Sequence, residues 1–203
     1  MKTITHTLKR MLLVSGIFFA STALAQNEIY IEQVGSSSTI TITQDGTDNT
    51  VGSELSPAYI GSGSNTVTIE QVGTSNSLDL TVSGLGATVT ATATGDSNSQ
   101  TISCGSSVSA TCTGSTISSI IVGDSNTTIQ SLGTGANHTS EINITGDSNS
   151  VTHTSTNTGT TSASITVTGN TNTIGVTQSG TTAKTVSVTS TGSSNTISIT
   201  QSD

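Results

Sequence analysis

Asn27-Glu-Ile-Tyr-Ile-Glu-Gln-Val-Gly35 is followed, after two serines, by Ser38-Thr-Ile-Thr-Ile-Thr-Gln-Asp-Gly46, and the second stretch repeats the pattern of the first. In each, a short polar residue, two isoleucines and a glutamine occupy alternate positions. Alternation with period two puts those side chains on one face of a strand and their neighbours on the other. β-Branched residues bounded by Gly, Asn, Asp and Ser are the composition of strands and turns. The pattern returns at Asn65-Thr-Val-Thr-Ile-Glu-Gln71, Asn172-Thr-Ile-Gly-Val-Thr-Gln178 and Asn195-Thr-Ile-Ser-Ile-Thr-Gln201. A second apolar face runs through Val89/Ala91/Ala93, Ile142/Ile144, Ala163/Ile165/Val167 and Val186/Val188.

Working outward, turns of one type punctuate the chain. They are Gly46-Thr-Asp-Asn49, Gly73-Thr-Ser-Asn76, Gly95-Asp-Ser-Asn98, Gly123-Asp-Ser-Asn126, Gly146-Asp-Ser-Asn149, Gly169-Asn-Thr-Asn172 and Gly192-Ser-Ser-Asn195. Successive glycines are 27, 22, 28, 23, 23 and 23 residues apart. A unit recurring at such a period signals a stacked array, in which each unit buries its apolar face against its neighbours. The expected fold is all-β: a flattened, amyloid-like β-solenoid of two-strand repeats, about 23 residues each, stacked roughly 4.8 Å apart into about eight layers. In-register stacking predicts ladders of like side chains. The candidates are Asn27, Gln33, Gln44, Asn49, Asn65, Gln71, Asn76, Asn98, Asn126, Asn149, Asn172, Gln178, Asn195 and Gln201, with Gly35, Gly46, Gly73, Gly95, Gly123, Gly146, Gly169 and Gly192 as turn glycines.

Residues 1–25 read as a leader. Lys2, Lys9 and Arg10 precede the apolar run Met11–Ala20, and Ala23-Leu-Ala25 offers a small-residue cleavage site, the pattern of a secretory signal peptide. The repeat domain is then 26–203. In it Lys184 stands alone against twelve acidic residues, a formal charge of −11. That balance speaks against nucleic acid and anionic membranes as partners, and no later segment has the apolar length of a membrane span. Tyr30 and Tyr59 are its only aromatics, whereas Ser and Thr make up 80 of the 203 residues of the chain, so a conventional globular core is hard to build. Cys104 and Cys112 flank the interval of 28, where a local disulfide would close the inserted loop. The interval of 27 holds Leu55-Ser-Pro57-Ala-Tyr59, expected as a bulging corner because proline cannot donate a ladder bond.

The unit has Asn or Ser, then Ile or Val two and four positions on, Gln at six, Gly at eight and Asn or Ser at eleven. It resembles the curlin repeat of bacterial curli subunits, most strongly over 27–49, 65–76 and 172–201. The resemblance implies a secreted subunit that polymerises with copies of itself into extracellular amyloid fibres of the biofilm matrix, with a nucleating subunit and an export channel as further partners. Departures are plain. Ile121, Ile144, Val167 and Ser190 stand where a second glutamine belongs, and the glycine-rich segment that directs such subunits to their channel is missing.

Other chemistry is thin. Asp96, Asp124 and Asp147 lack the Gly-Gly-x-Gly-x-Asp spacing of calcium-binding rolls and read as turn formers. His138 lies near a turn and His153 on the inward phase of its strand, neither with a second ligand at metal spacing. No nucleophile elbow is present, so neither catalysis nor a cofactor is expected. The competing reading is an ice-binding solenoid, suggested by Thr39/Thr41/Thr43, Thr90/Thr92/Thr94 and Thr152/Thr154/Thr156; as sequence these runs are scattered, whereas an ice face needs them on consecutive layers. A solenoid segment of a surface or phage adhesin is the third.

Overall fold

The structure is a computed structural model that describes residues 27–53, 58–61, 63–95, 97–104, 112–123, 125–133, 137–146, 148–156, 159–169, 171–181, 183–192 and 194–203. The expected leader, Pro57, the insertion 105–111 and the turn aspartates Asp96, Asp124 and Asp147 lie outside the described residues.

Alternating Thr/Ile and Thr/Val runs form strands because their branched side chains suit a pleated surface with one buried face. The strands are β1 (Glu32–Val34), β2 (Thr39–Asp45), β3 (Ala58–Gly61), β4 (Thr66–Val72), β5 (Leu78–Val82), β6 (Thr88–Thr94), β7 (Gln100–Cys104), β8 (Thr116–Val122), β9 (Thr128–Leu132), β10 (His138–Thr145), β11 (Thr161–Thr168), β12 (Gln178–Ser179), β13 (Lys184–Thr191) and β14 (Gln201–Ser202). One wall is the parallel sheet β1-β3-β5-β7-β9; the facing wall is β2-β4-β6-β8-β10-β11-β13, also parallel and in chain order. β12 and β14 pair as a short third ladder. The chain thus winds as a β-solenoid of about six turns, with repeats about 23 residues apart. That is shorter than the eight layers expected, because the terminal layers are only partly laddered.

Register puts like positions in columns. One inward column of the second wall reads Ile42, Ile69, Ala91, Ser119, Ile142, Ile165 and Val188; the next reads Gln44, Gln71, Ala93, Ile121, Ile144, Val167 and Ser190. Each buried aliphatic contributes roughly 1.5–3 kcal/mol, so a core one side chain thick on each wall suffices when it is repeated in every layer. Ala58 and Tyr59 correct the expected corner loop. Ala58 is buried in β3 opposite Leu80, and Tyr59 Oη lies 2.7 Å from Ser83 Oγ, so the strand resumes directly after the proline.

The first wall is less regular toward its C-terminal end. Beyond β9 it continues through the isolated bridges Thr128↔Val151 and Leu132↔Ser155. Thr154, Ile174 and Val176 there have φ of 35°, 76° and 87°, where a branched side chain crowds its own backbone and interrupts the ladder. Ile174, Val176 and Gln178 still point inward and are buried.

Candidate functional site: the amide ladder and the open ends of the stack

Each Gly-x-x-Asn turn closes on itself and on the turn before it. Asn76 Nδ2 donates to Gly73 O at 2.9 Å and to Asn49 Oδ1 at 2.6 Å. The same pair of bonds recurs at Asn98 (2.7 and 2.6 Å), Asn126 (2.6 and 2.8 Å) and Asn149 (2.8 and 2.6 Å). Asn49 reaches Asn27 at 3.4 Å, while Asn172 donates to Asn149 and Asn195 to Asn172 over short contacts. Eight asparagines therefore form one series, the seven after Asn27 each donating toward the N-terminal end, while Asn27 Nδ2 donates to Asp45 O. Those from Asn49 to Asn172 are at most 5 % exposed. Left unpaired at that depth, each carboxamide would cost roughly 1–3 kcal/mol.

The glycines are placed by the same stacking. A Cβ on Gly95 would lie 1.5 Å from the carbonyl oxygen of Gly73, and similar approaches of 1.4–1.7 Å recur at Gly73, Gly123, Gly146, Gly169 and Gly192. Only a residue without a side chain lets these turns lie directly on one another. Gly35 is looser, its nearest contact being Gln33 Nε2 at 3.5 Å, and Gly46 would meet Asn27 Oδ1 at 2.9 Å.

The glutamines do not form a second continuous series. Gln71 Nε2 donates to Gln44 Oε1 at 2.9 Å and Gln178 Nε2 to Gln201 Oε1 at 3.1 Å, but Ala93, Ile121, Ile144 and Val167 separate the two rungs into different parts of the stack. Gln33 has Ile60 as its column neighbour and bonds Ser38 Oγ at 2.9 Å. Asn65 stands apart from the asparagine series, donating to Gly61 O at 3.3 Å and accepting from Ser38 N at 3.0 Å. Buried Gln100 and Gln130, with Ser119 and Ser140 as donors to their oxygens, were absent from the sequence candidates. Their inward phase, two and four residues after Asn98 and Asn126, is the signal that could have found them. Cys104, at the end of β7, forms a disulfide with Cys112, with a Cα–Cα distance of 5.7 Å.

Among the described residues the stack is open at both ends. The first layer shows Asn27, Ile29, Ile31, Gln33 and Ile40 half-buried, with Glu28, Glu32, Asp45 and Asp48 exposed around them. At the other end Ile197 is 47 % and Ile199 45 % exposed, and Lys184 pairs with Asp203. Among the described residues, β2 and β13 are the edge strands of their wall, each with a neighbouring strand on one side.

The outward face of the second wall is a threonine field. Thr39, Thr41 and Thr43 lie over Thr66, Thr68 and Glu70, which lie over Thr88, Thr90 and Thr92. The first column runs on to Thr116 and Thr139. The runs scattered in sequence are thus partly gathered by register, although Thr152, Thr154 and Thr156 fall outside this wall.

These features define a parallel β-solenoid with a side-chain amide ladder and unpaired ends. Residues 25–46 match the curlin-associated repeat, the family whose pattern the sequence resembles. That family is structural rather than enzymatic. No curated protein and no solved structure matches the chain. Among the described residues no group of three or more His, Cys, Asp or Glu is placed to hold a metal ion, and no helix is long and apolar enough to cross a membrane.

Proposed function

We propose that the chain is a secreted structural subunit that self-assembles, end to end, into extracellular curli-like amyloid fibres serving biofilm matrix, adhesion and surface attachment. The observation that carries this reading is the pair of open ends joined by a directional ladder. Uncapped strands and an uncapped solenoid face template another chain. A second copy placed head to tail brings its Asn27 Nδ2, a donor, toward the exposed Asn195 and continues the series Asn172–Asn195. Head-to-head contact would set donors against donors. The curlin-associated repeat at 25–46 supports the same reading; a nucleating subunit and an export channel are proposed as further partners from the resemblance alone.

The test is incubation of purified protein for days at high concentration, followed by negative-stain microscopy, thioflavin T binding and fibre diffraction. Unbranched fibres with a meridional repeat of about 4.7–4.8 Å are expected; a persistent monomer overturns the reading.

One observation favours a second reading. The three-strand block of β2, β4 and β6 holds threonine at every outward position named above except Glu70. A rigid array with strands about 4.8 Å apart and like residues about 6.6–6.8 Å apart along each strand suits a crystalline water surface. Thermal hysteresis in monomeric protein, lost in Thr68→Glu, would favour it; no hysteresis eliminates it.

A further inference from the structure

Midway along the stack the interior changes character. Toward the N-terminal end it is filled by Val51, Leu78, Leu80, Val82 and Val89, and beyond by Ile144, Ile165, Val167 and Ile174, two separate apolar clusters. Between them the inward positions include Gln100, Ser119, Gln130, His138, Ser140 and His153, each at most 1 % exposed.

A hydrogen-bonded chain crosses this seam. Ser140 Oγ donates to Gln130 Oε1, and His153 Nδ1 lies 2.9 Å from the same Ser140 Oγ. His153 Nε2 lies 3.3 Å from Gln178 Oε1, and Gln178 Nε2 donates to Gln201 Oε1 at 3.1 Å. The chain therefore runs from the middle of the core to the exposed C-terminal edge. Counting protons exposes a conflict. Ser140 has one hydroxyl proton and directs it to Gln130, so both ring nitrogens of His153 face acceptors. A neutral imidazole carries one N–H. A neutral ring therefore donates in one of the two contacts, and an imidazolium, which could donate in both, would bring a charge into the core.

Among the described residues the surroundings offer that charge no counter-ion. On β10 Glu141 is exposed and bonds Asn143, while His138, the other titratable group of the strand, is buried and lies opposite Thr161. The inward positions of β11 are Thr161, Ala163, Ile165 and Val167; those of 126–132 and 172–178 are uncharged. On β13 the only charge is Lys184, paired with Asp203. Burial lowers the pKa of His153 to about 4, the Gln178 bond opposing and the nearby His138 adding to the shift. The backbone of the wall segment that carries His153 pairs with its N-terminal neighbour through the isolated bridges Thr128↔Val151 and Leu132↔Ser155 rather than a continuous ladder, with the Asn149–Asn126 amide bond holding its start.

We infer that His153 is an acid-sensitive clasp: taking up a proton from solvent drives residues 149–156 out of the stack and severs the amide chain to Gln201. The consequence for assembly rests on the fibre reading, which places the next copy against that edge. The direction follows from linkage. The unfolded or opened segment binds the proton with an ordinary histidine pKa near 6.5, the closed one only near 4, so closure is complete above about pH 6.5 and weakens as pH falls toward 4.

Backbone amide exchange of soluble full-length protein, corrected for intrinsic rates, tests this at pH 7.5 and pH 4. Opening of 149–156 should rise on the order of a hundredfold in the wild type and stay nearly constant in His153→Gln. Equal pH dependence in both proteins overturns the clasp. Should the variant not fold, the ring resonance of wild-type His153 decides: titration near pH 4 accompanied by opening supports the inference, and titration near the ordinary value of about 6.5 overturns it. Seeded elongation is the second readout, expected to fall at pH 4 in the wild type but not in the variant. Failure to elongate at any pH sinks the fibre reading alone, because the exchange result still decides the clasp.

Discussion

At Gly123 the position of a missing methyl group is already occupied, 1.7 Å from where it would sit, by the carbonyl oxygen of Gly95. Gly123→Ala should therefore displace a whole turn and cost more than about 3 kcal/mol in urea unfolding, well above ordinary backbone effects. Gly114 is the control: its φ of +71° is unfavourable for alanine but nothing lies within 4 Å, so Gly114→Ala should cost only about 1 kcal/mol. Asn126→Ala removes the donor to Asn98 and Gly123 and the acceptor for Asn149. Orphaning those buried groups should cost roughly 2–4 kcal/mol. Both residues were readable as turn residues from the Gly-x-x-Asn spacing. The carbonyl that excludes a side chain at Gly123 was not, because it belongs to another layer 28 residues away in sequence.

Strands were legible where alternation is strict, as in β2 and β4, whose inward residues Ile40, Ile42, Gln44, Val67, Ile69 and Gln71 fall on the expected face. Legibility failed where one column mixes residue types. The break in the glutamine ladder at Ile121, Ile144, Val167 and Ser190 was legible as a departure from the motif, whereas Ala93 as a member of the same column was not, because column membership depends on register rather than on the local motif. The threonine runs of β2 and β6 were visible in the sequence but their alignment through β4 was not, for the same reason: a run read along one strand says nothing about what lies across it. At the C-terminal edge the alternation makes a direct claim. Ile199→Asp puts a charge, and Gln201→Ala a lost amide, into the surface that a second copy would cover, whereas Thr200 lies on the opposite phase. Seeded elongation should be slowed strongly by the first two and change by only a few tenths of a kcal/mol in Thr200→Ala. A crippled Thr200→Ala beside a healthy Ile199→Asp would invert the assignment of that face.

For the molecule as a unit, charge sets the terms of association. Beyond residue 25, twelve acids face a single lysine, and four of the acids, Glu28, Glu32, Asp45 and Asp48, surround the first layer. Raising ionic strength to ~0.15 M, where the Debye length is ~8 Å, should shorten the assembly lag without changing protonation. Acid acts in two opposed ways. Protonating carboxylates below about pH 5 relieves repulsion, while His153, whose folded pKa lies near 4, loses stability over the window from about 6.5 down to 4. His153→Gln should therefore assemble faster than the wild type at pH 4 and comparably at pH 7.5, measured as lag time. Identical lags across salt would refute the repulsion argument.

The asparagine series has one more consequence, an electrical one. Each carboxamide is a dipole of the same kind as a peptide unit, about 3.5 D, and from Asn195 to Asn49 each points an N–H toward the same end. A rod built this way is a vector. Its length multiplies its moment, so filaments should rotate into alignment in an applied field, and two lying side by side should settle with their directions opposed.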